Sequence, residues 1–256
     1  MIPLSDDLPT LRTPWMTYTI LAITWAVWLL VQGAGVDLTR LAASVCDLGL
    51  VPGELTHLAA IGTPVPLGAN MVCVVDDNAI NVLTPLTSIF LHGGWMHILG
   101  NSLILWVFGN NVEDSMGRAP FLAVYLLCGL TAAAAHVLVH PASAVPTVGA
   151  SGAISGVMGA YLVLYPRARV NMLFIFVIFF KVFPIPAWLV LLWWFALQLL
   201  AAAPELGQLR PEVATGVAVW AHVGGFLAGV LLIQLFKSRG LVELHRRTFA
   251  EGAGGG

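Results

Sequence analysis

The sequence predicts an all-α membrane protein: six transmembrane helices in a bundle, with a long, partly membrane-embedded first external loop. Three observations carry this prediction. The 256 residues are 59% hydrophobic and only 9% charged, where a soluble domain carries roughly 25% charged residues, so the bilayer is the main solvent. Six apolar stretches lie near 16–33, 88–111, 119–139, 149–165, 187–203 and 213–236, close to the about 20 residues a spanning helix needs. With six spans, Arg12, Arg118, Arg167, Arg169, Lys237, Arg239, Arg246 and Arg247 share one face, and only Arg40 and Arg210 fall on the other. That asymmetry places both termini in the cytoplasm, and the expected setting is a bacterial inner (plasma) membrane.

Taken in order, residues 1–15 form a cytoplasmic N-terminal segment. Asp6, Asp7 and a single Arg12 do not make the basic n-region of a signal peptide, so the first apolar stretch is expected to stay in the mature protein. Residues 16–236 form the membrane domain, with 34–87 as its external loop. The run from Val170 to Leu200 is too long for one span and is broken by Lys181, Pro184 and Pro186. The expectation is a non-spanning or re-entrant stretch over 170–183, sheltered by the bundle, and a helix starting at Pro186, where proline suits a first turn. The fourth stretch, about 16 residues or ~24 Å, is shorter than a ~30 Å hydrocarbon core. Its N-terminus should therefore begin below the outer surface, under a water-filled entrance. Residues 237–256 form a cytoplasmic tail.

Polar groups within membrane helices are rare and point to function. Three of them reach one depth. Ser151 is fourteen residues before Tyr165, His222 fourteen before Phe236, and His97 fourteen before Asn111, so each stands about 21 Å above the inner end of its helix. Small residues allow these helices to meet. Ser151, Ser155 and Gly159 share a face, Gly152 and Gly156 form a small-xxx-small pair, and Gly225 and Gly229 flank His222 on its helix. Such faces permit close backbone approach, which would bring Ser151 and His222 within hydrogen-bond reach.

A serine hydroxyl becomes nucleophilic when a base takes its proton, and neutral imidazole is such a base near physiological pH. No Asp or Glu lies at the matching depth, which points to a Ser–His dyad rather than a triad. Ser151 lies in the first turn of its helix, where backbone N–H groups lack internal partners and the dipole favours negative charge. His97 and Asn101, four apart on one face, can add donors for an oxyanion. Taken singly, a Gly/Ser cluster is most often packing and a lone histidine a structural hydrogen bonder. The shared depth of Ser151, His222, His97 and Asn101 favours a catalytic site. Ser155, Gly225 and Gly229 stay with packing, His92 reads as a loop-anchoring hydrogen bonder, and His57, His136, His140 and His245 read as ordinary.

Other chemistries find little support. The net charge of −2 argues against a nucleic-acid partner, and no P-loop, dinucleotide fingerprint or Cys-x-x-Cys pair is present. No cofactor and no metal are expected: His92 and His97 are five apart, off a common helix face, with no Cys or carboxylate beside them. The expected partners are the lipid bilayer and transmembrane protein substrates.

The segments "LTSIFLHGGWMHILGN", "FGNNVEDSMG", "GASGAISGVMGAYL" and "AHVGGFLAG" jointly resemble the rhomboid family of intramembrane serine proteases over about 83 to 236. The resemblance implies a six-helix, rhomboid-like bundle around a cavity open to the outside. It makes Ser151 the nucleophile, His222 its general base, and His97, Asn101 and the Ser151 N–H the oxyanion site. It also implies cleavage of other membrane proteins in or beside a transmembrane helix, and a structural role for Gly109 and Glu113. Two positions depart from the family pattern. Ser155 stands where some members have an aromatic ring stacked on the catalytic histidine, and Gly100 stands where a bulky residue can help form a lateral gate.

Two other functions fit the same pattern less well. A catalytically inactive rhomboid-like binding or quality-control factor would not need both Ser151 and His222. A channel or transporter would be expected to carry more charged groups in its spans. Of the three cysteines, Cys128 falls mid-span as a buried thiol. Cys46 and Cys73 share the external side, where disulfides persist. The sequence leaves both the bridge and the reduced pair open, since a bridge needs a Cα separation below about 7 Å.

Overall fold

The computed structural model describes residues 2–68, 71–176, 179–206 and 218–254. The chain opens with strand β1 (Ile2–Asp6) and helix α1 (Trp15–Ala26), which runs on through a π-helical turn (Val27–Val31). The segment expected as the first external loop holds α2 (Leu38–Leu48), α3 (Pro52–Leu55), the hairpin strands β2 (Pro64–Gly68) and β3 (Met71–Val74), and α4 (Thr84–Thr87) between two 3₁₀ turns. Then come α5 (Trp95–Met116), α6 (Arg118–Val139), α7 (Ser151–Leu164), strands β4 (Arg169–Phe176) and β5 (Phe179–Pro186), α8 (Ala187–Leu206), α9 (Val219–Phe236) and α10 (Arg239–Gly254).

The molecule is mostly helical. Four of the six predicted stretches match observed helices closely; the second, expected over 88–111, is helical instead from Trp95 to Met116, after the 3₁₀ turn Ser88–Phe90. The sixth stretch is helical from Val219, and its residues 213–217 lie outside the described residues. Among the described residues, α6 and α9 are long and apolar enough to cross a membrane, while Trp15–Val31, α7 and Ala187–Ala203 are apolar but shorter. The main core gathers where α5, α6, α7 and α9 meet, around Phe108, Phe121, Tyr125, Ile154, Val157, Tyr161 and Ile233.

Two sheets correct the all-α expectation. The stretch 170–183 is not a re-entrant segment but an antiparallel hairpin of β4 and β5, with β1 paired antiparallel on the other side of β4. The run "RVNMLFIF" and "FFKVFPIP" is rich in β-branched and aromatic residues, which suit a pleated surface. Pro184 and Pro186, which lack an N–H, fall on the edge strand, where proline is tolerated. The second sheet is the β2–β3 hairpin of the long loop between α1 and α5.

Polar clamps hold the elements at the end away from Ser151. Glu113 caps α1, accepting from the backbone N–H groups of Met16 (3.0 Å) and Thr17 (2.8 Å) and from Thr17 Oγ1 (2.9 Å). This satisfies orphan donors of the helix N-terminus and a nearly buried carboxylate together. Gly109 lets Thr17 come close. Asp6 Oδ2 accepts from Tyr161 Oη (2.6 Å) and Asn111 Nδ2 (2.7 Å), and His245 Nε2 donates to Asn111 Oδ1 (3.1 Å). The N-terminal segment and the C-terminal tail are thus both docked on the helices. Their order comes from side-chain networks that hydropathy does not report.

In the same loop, Asp37 caps α2 by accepting from the N–H groups of Thr39 and Arg40, both at 3.1 Å. Cys46 of α2 is disulfide-bonded to Cys73 of β3, with Cα atoms 5.3 Å apart. Cys128 is a buried free thiol.

Candidate active site

The turn before α7 sets the position of Ser151. Thr147 forms an antiparallel bridge with Leu50, and the Gly149 N–H donates to the Ser88 carbonyl at 2.9 Å. Gly149 has φ +133°, a conformation that side chains other than glycine's rarely adopt. A Cβ there would also collide with His97 Nε2, 2.6 Å away. The helix begins at the next turn: the Ile154 N–H bonds to the Ala150 carbonyl at 2.9 Å. Ser151 therefore occupies the first helical position, where N–H groups have no helical partner.

His222 sits in the first turn of α9. Helices α7 and α9 run side by side with their backbones touching. A Cβ on Gly225 would strike the Gly152 carbonyl, and one on Gly229 the Gly156 carbonyl. That approach brings the Ser151 hydroxyl to 2.8 Å from His222 Nε2, so the two residues predicted to meet do meet. Ser155 donates to the Ser151 carbonyl at 2.6 Å and is buried, as a packing residue would be.

His97 and Asn101, from α5, line the same cavity as Ser151 and His222. The cavity has a volume of about 730 Å³ and reaches from Ile104 and Met158 up to Pro66 and Leu67 of the β2–β3 hairpin. Asn101 Nδ2 lies 2.9 Å from His92 Nε2. The His92 and His97 rings meet edge to face at 5.0 Å. His92 does anchor the loop, through its backbone: its N–H donates to Gln32 Oε1 and its carbonyl accepts from Gln32 Nε2, both at 2.8 Å. Its side chain has a second role that sequence reasoning missed, which is to hold the Asn101 amide. His136, read as ordinary, also lines the cavity, with Nε2 3.1 Å from Thr147 Oγ1.

Two further neighbours of His222 come from α8. The Trp194 ring lies 5.8 Å from the imidazole, tilted by 42°. Gln198 Oε1 lies 2.9 Å from His222 Nδ1. The one available signal was a neutral amide inside the apolar run "LLWWFALQLL". A neutral amide does not stand out as an orienting group, a role that a carboxylate fills in a Ser–His–Asp triad. Among the described residues, no group of His, Cys, Asp and Glu is arranged to hold a metal ion.

The arrangement is a hydroxyl facing a ring nitrogen at the start of a helix, whose first N–H groups have no helical partner, with two polar side chains of α5 lining the same cavity. A sequence model of the Rhomboid domain matches residues 81–239, more than half of the chain. Rhomboid protease GluP of Bacillus subtilis is 44% identical over 77 residues, covering 30% of this chain and 15% of the relative. Rhomboid protein 1, mitochondrial, of Saccharomyces cerevisiae is 30% identical over 161 residues, covering 60% of this chain and 42% of the relative. Rhomboid-like protease 5 of Toxoplasma gondii is 26% identical over 200 residues, covering 72% and 21%. The chain thus spans less than half the length of these relatives. Of the residues described at the candidate site, all but Gln32, Leu50, Pro66 and Leu67 fall inside the matched region, and the chain belongs to the rhomboid family of membrane proteins.

Proposed function

We propose that this protein is an intramembrane serine endopeptidase that cleaves transmembrane segments of other membrane proteins. The observation that carries the reading is the 2.8 Å contact between Ser151 Oγ and His222 Nε2 inside a cavity also lined by His97 and Asn101. Ser151 Oγ–H donates to the Nε2 lone pair. His222 takes that proton as Oγ attacks the scissile carbonyl carbon. The carbonyl oxygen becomes an oxyanion, held by the Ser151 N–H and by His97 and Asn101. His222 then gives its proton to the leaving amine, the C–N bond breaks and an acyl-enzyme remains. A water, deprotonated by His222, attacks the acyl carbon and releases the new carboxyl terminus while the proton returns to Ser151. No cofactor or metal enters the scheme.

The same reading takes α1, α5, α6, α7, α8 and α9 as six spans, with both termini cytoplasmic and residues 34–87 external. Ser151 and His222, at the N-terminal ends of α7 and α9, then lie in the outer half of the bilayer. A bacterial inner membrane suits this layout, and the partners are the bilayer and single-span substrates. The test is incubation of a panel of single-span proteins with wild type and Ser151→Ala in liposomes. Cleavage by wild type and none by the variant is expected. Equal cleavage by both rules out the serine. A folded wild type that binds the panel without cutting it favours the inactive binding or quality-control reading.

A further inference from the structure

We propose that Gln198 is the positioning residue of the catalytic histidine, fixing the tautomer in which His222 can act as a base. The inference rests on the protease reading above and concerns the side of the imidazole turned away from Ser151. Gln198 and Trp194 are four residues apart on α8, hence on one face, and both meet the His222 ring. Trp194 lines the cavity, whereas Gln198 is not among the lining residues. It meets Nδ1, the ring nitrogen turned away from Ser151.

The atom facing Nδ1 is the carbonyl oxygen Oε1, at 2.9 Å. A carbonyl oxygen has no proton to give, so the hydrogen of this bond belongs to Nδ1. With Nδ1 protonated, Nε2 of the neutral ring carries the lone pair, and Nε2 is the atom 2.8 Å from Ser151 Oγ. The partner of one ring nitrogen thus sets the function of the other. Without that acceptor, the tautomer bearing hydrogen on Nε2 becomes populated, and it cannot take a proton from Ser151. When His222 does take the proton, the new imidazolium still donates from Nδ1 to Oε1, so the bond lasts through the step and the ring does not turn. Ser155, lacking an aromatic ring, offers no such restraint from α7. The orienting contacts come from α8 instead, a neutral amide taking the place that a carboxylate holds in a Ser–His–Asp triad.

The test uses the full-length protein in liposomes. Gln198→Leu should lower kcat by about 10- to 100-fold, below the loss seen when a charged third member is removed, and leave KM within about twofold, since ground-state binding is untouched. Gln198→Glu, which keeps an acceptor at the same reach, should restore most of the rate. Imidazole ¹⁵N spectra should show hydrogen on Nδ1 of His222 in wild type and in Gln198→Glu, and a mixture in Gln198→Leu. If Gln198→Leu does not fold, Gln198→Asn, one methylene short, takes its place. Wild-type kcat with an unchanged tautomer in the shortened or apolar variant overturns the proposal, as does a change in KM alone. So does hydrogen on Nε2 in wild type. The spectra need no turnover, so a protein that cleaves nothing would sink the protease reading and still leave the tautomer measurement to decide this one.

Discussion

Asn101 shows how one side chain serves both structure and chemistry. Its amide nitrogen has two hydrogens. One faces His92 Nε2 at 2.9 Å, which sets the plane of the amide and leaves the other for the cavity. If that second hydrogen holds the oxyanion, Asn101→Ala should lower kcat by about 10²-fold, equivalent to ~3 kcal/mol of transition-state stabilisation, with little change in KM. Steady-state cleavage kinetics check this, and an effect confined to KM would make Asn101 a substrate-binding residue instead. The residues legible in the sequence were those whose chemistry is unusual in lipid. Ser151, His222 and His97 stood out by depth on three helices, and Asn101 by lying one turn from His97 on the same face. Gln198 did not, because a neutral amide among leucines has neither charge nor metal-ligand character to mark it. The His92 side chain was hidden for another reason: nine residues separate it from Asn101, across an irregular turn that fits no single helical face.

At the scale of elements, the contact of α7 with α9 sets the distance between nucleophile and base. Gly225 and Gly229 lie against the carbonyls of Gly152 and Gly156, so added bulk pushes the helices apart. Gly229→Ala should cost about 1–3 kcal/mol by overpacking and reduce cleavage, whereas Gly240→Ala, where an added Cβ meets open space, should do neither. Thermal unfolding and cleavage of the two variants side by side test this, and equal behaviour would contradict it. Strand β1 makes a second prediction. Burial pushes the Asp6 carboxyl above its ordinary range, outweighing the hydrogen bonds from Tyr161 and Asn111 that act the other way. A carboxyl raised in the folded state contributes stability that is full below its unfolded value, about 3.9, and is lost as pH rises through the folded value. Asp6→Asn keeps an acceptor for both donors and does not titrate. The variant's Tm should therefore gain on wild type as pH rises from 4 to 7, and a constant difference would contradict the assignment. The apolar helices were legible because hydropathy marks long apolar runs directly. The β4–β5 hairpin was not, since a hydrophobic run reads alike as a strand or a short membrane segment, and its partner β1 lies more than 160 residues away.

Across the whole molecule, the long loop between α1 and α5 is tied down over the cavity. The Cys46–Cys73 bond joins α2 to β3, and Pro66 and Leu67 of the paired strand line the cavity above Ser151. Thiol labelling of unfolded, unreduced protein should find one reactive cysteine per chain, Cys128, and three would exclude the bond. Replacing both bridged cysteines with serine should destabilise the protein by about 2–4 kcal/mol in the chain-entropy account, while the core of α5, α6, α7 and α9 persists. The sequence left this bridge open because it does not give the separation of two residues in an irregular loop. The central claim is that Ser151 and His222 act as a unit, and a serine-directed fluorophosphonate probe tests it with no need to know the substrate. Mass mapping of labelled protein in liposomes should find the adduct on Ser151 in wild type and none in His222→Ala. Wild type without an adduct on Ser151, or equal labelling once His222 is removed, would contradict it.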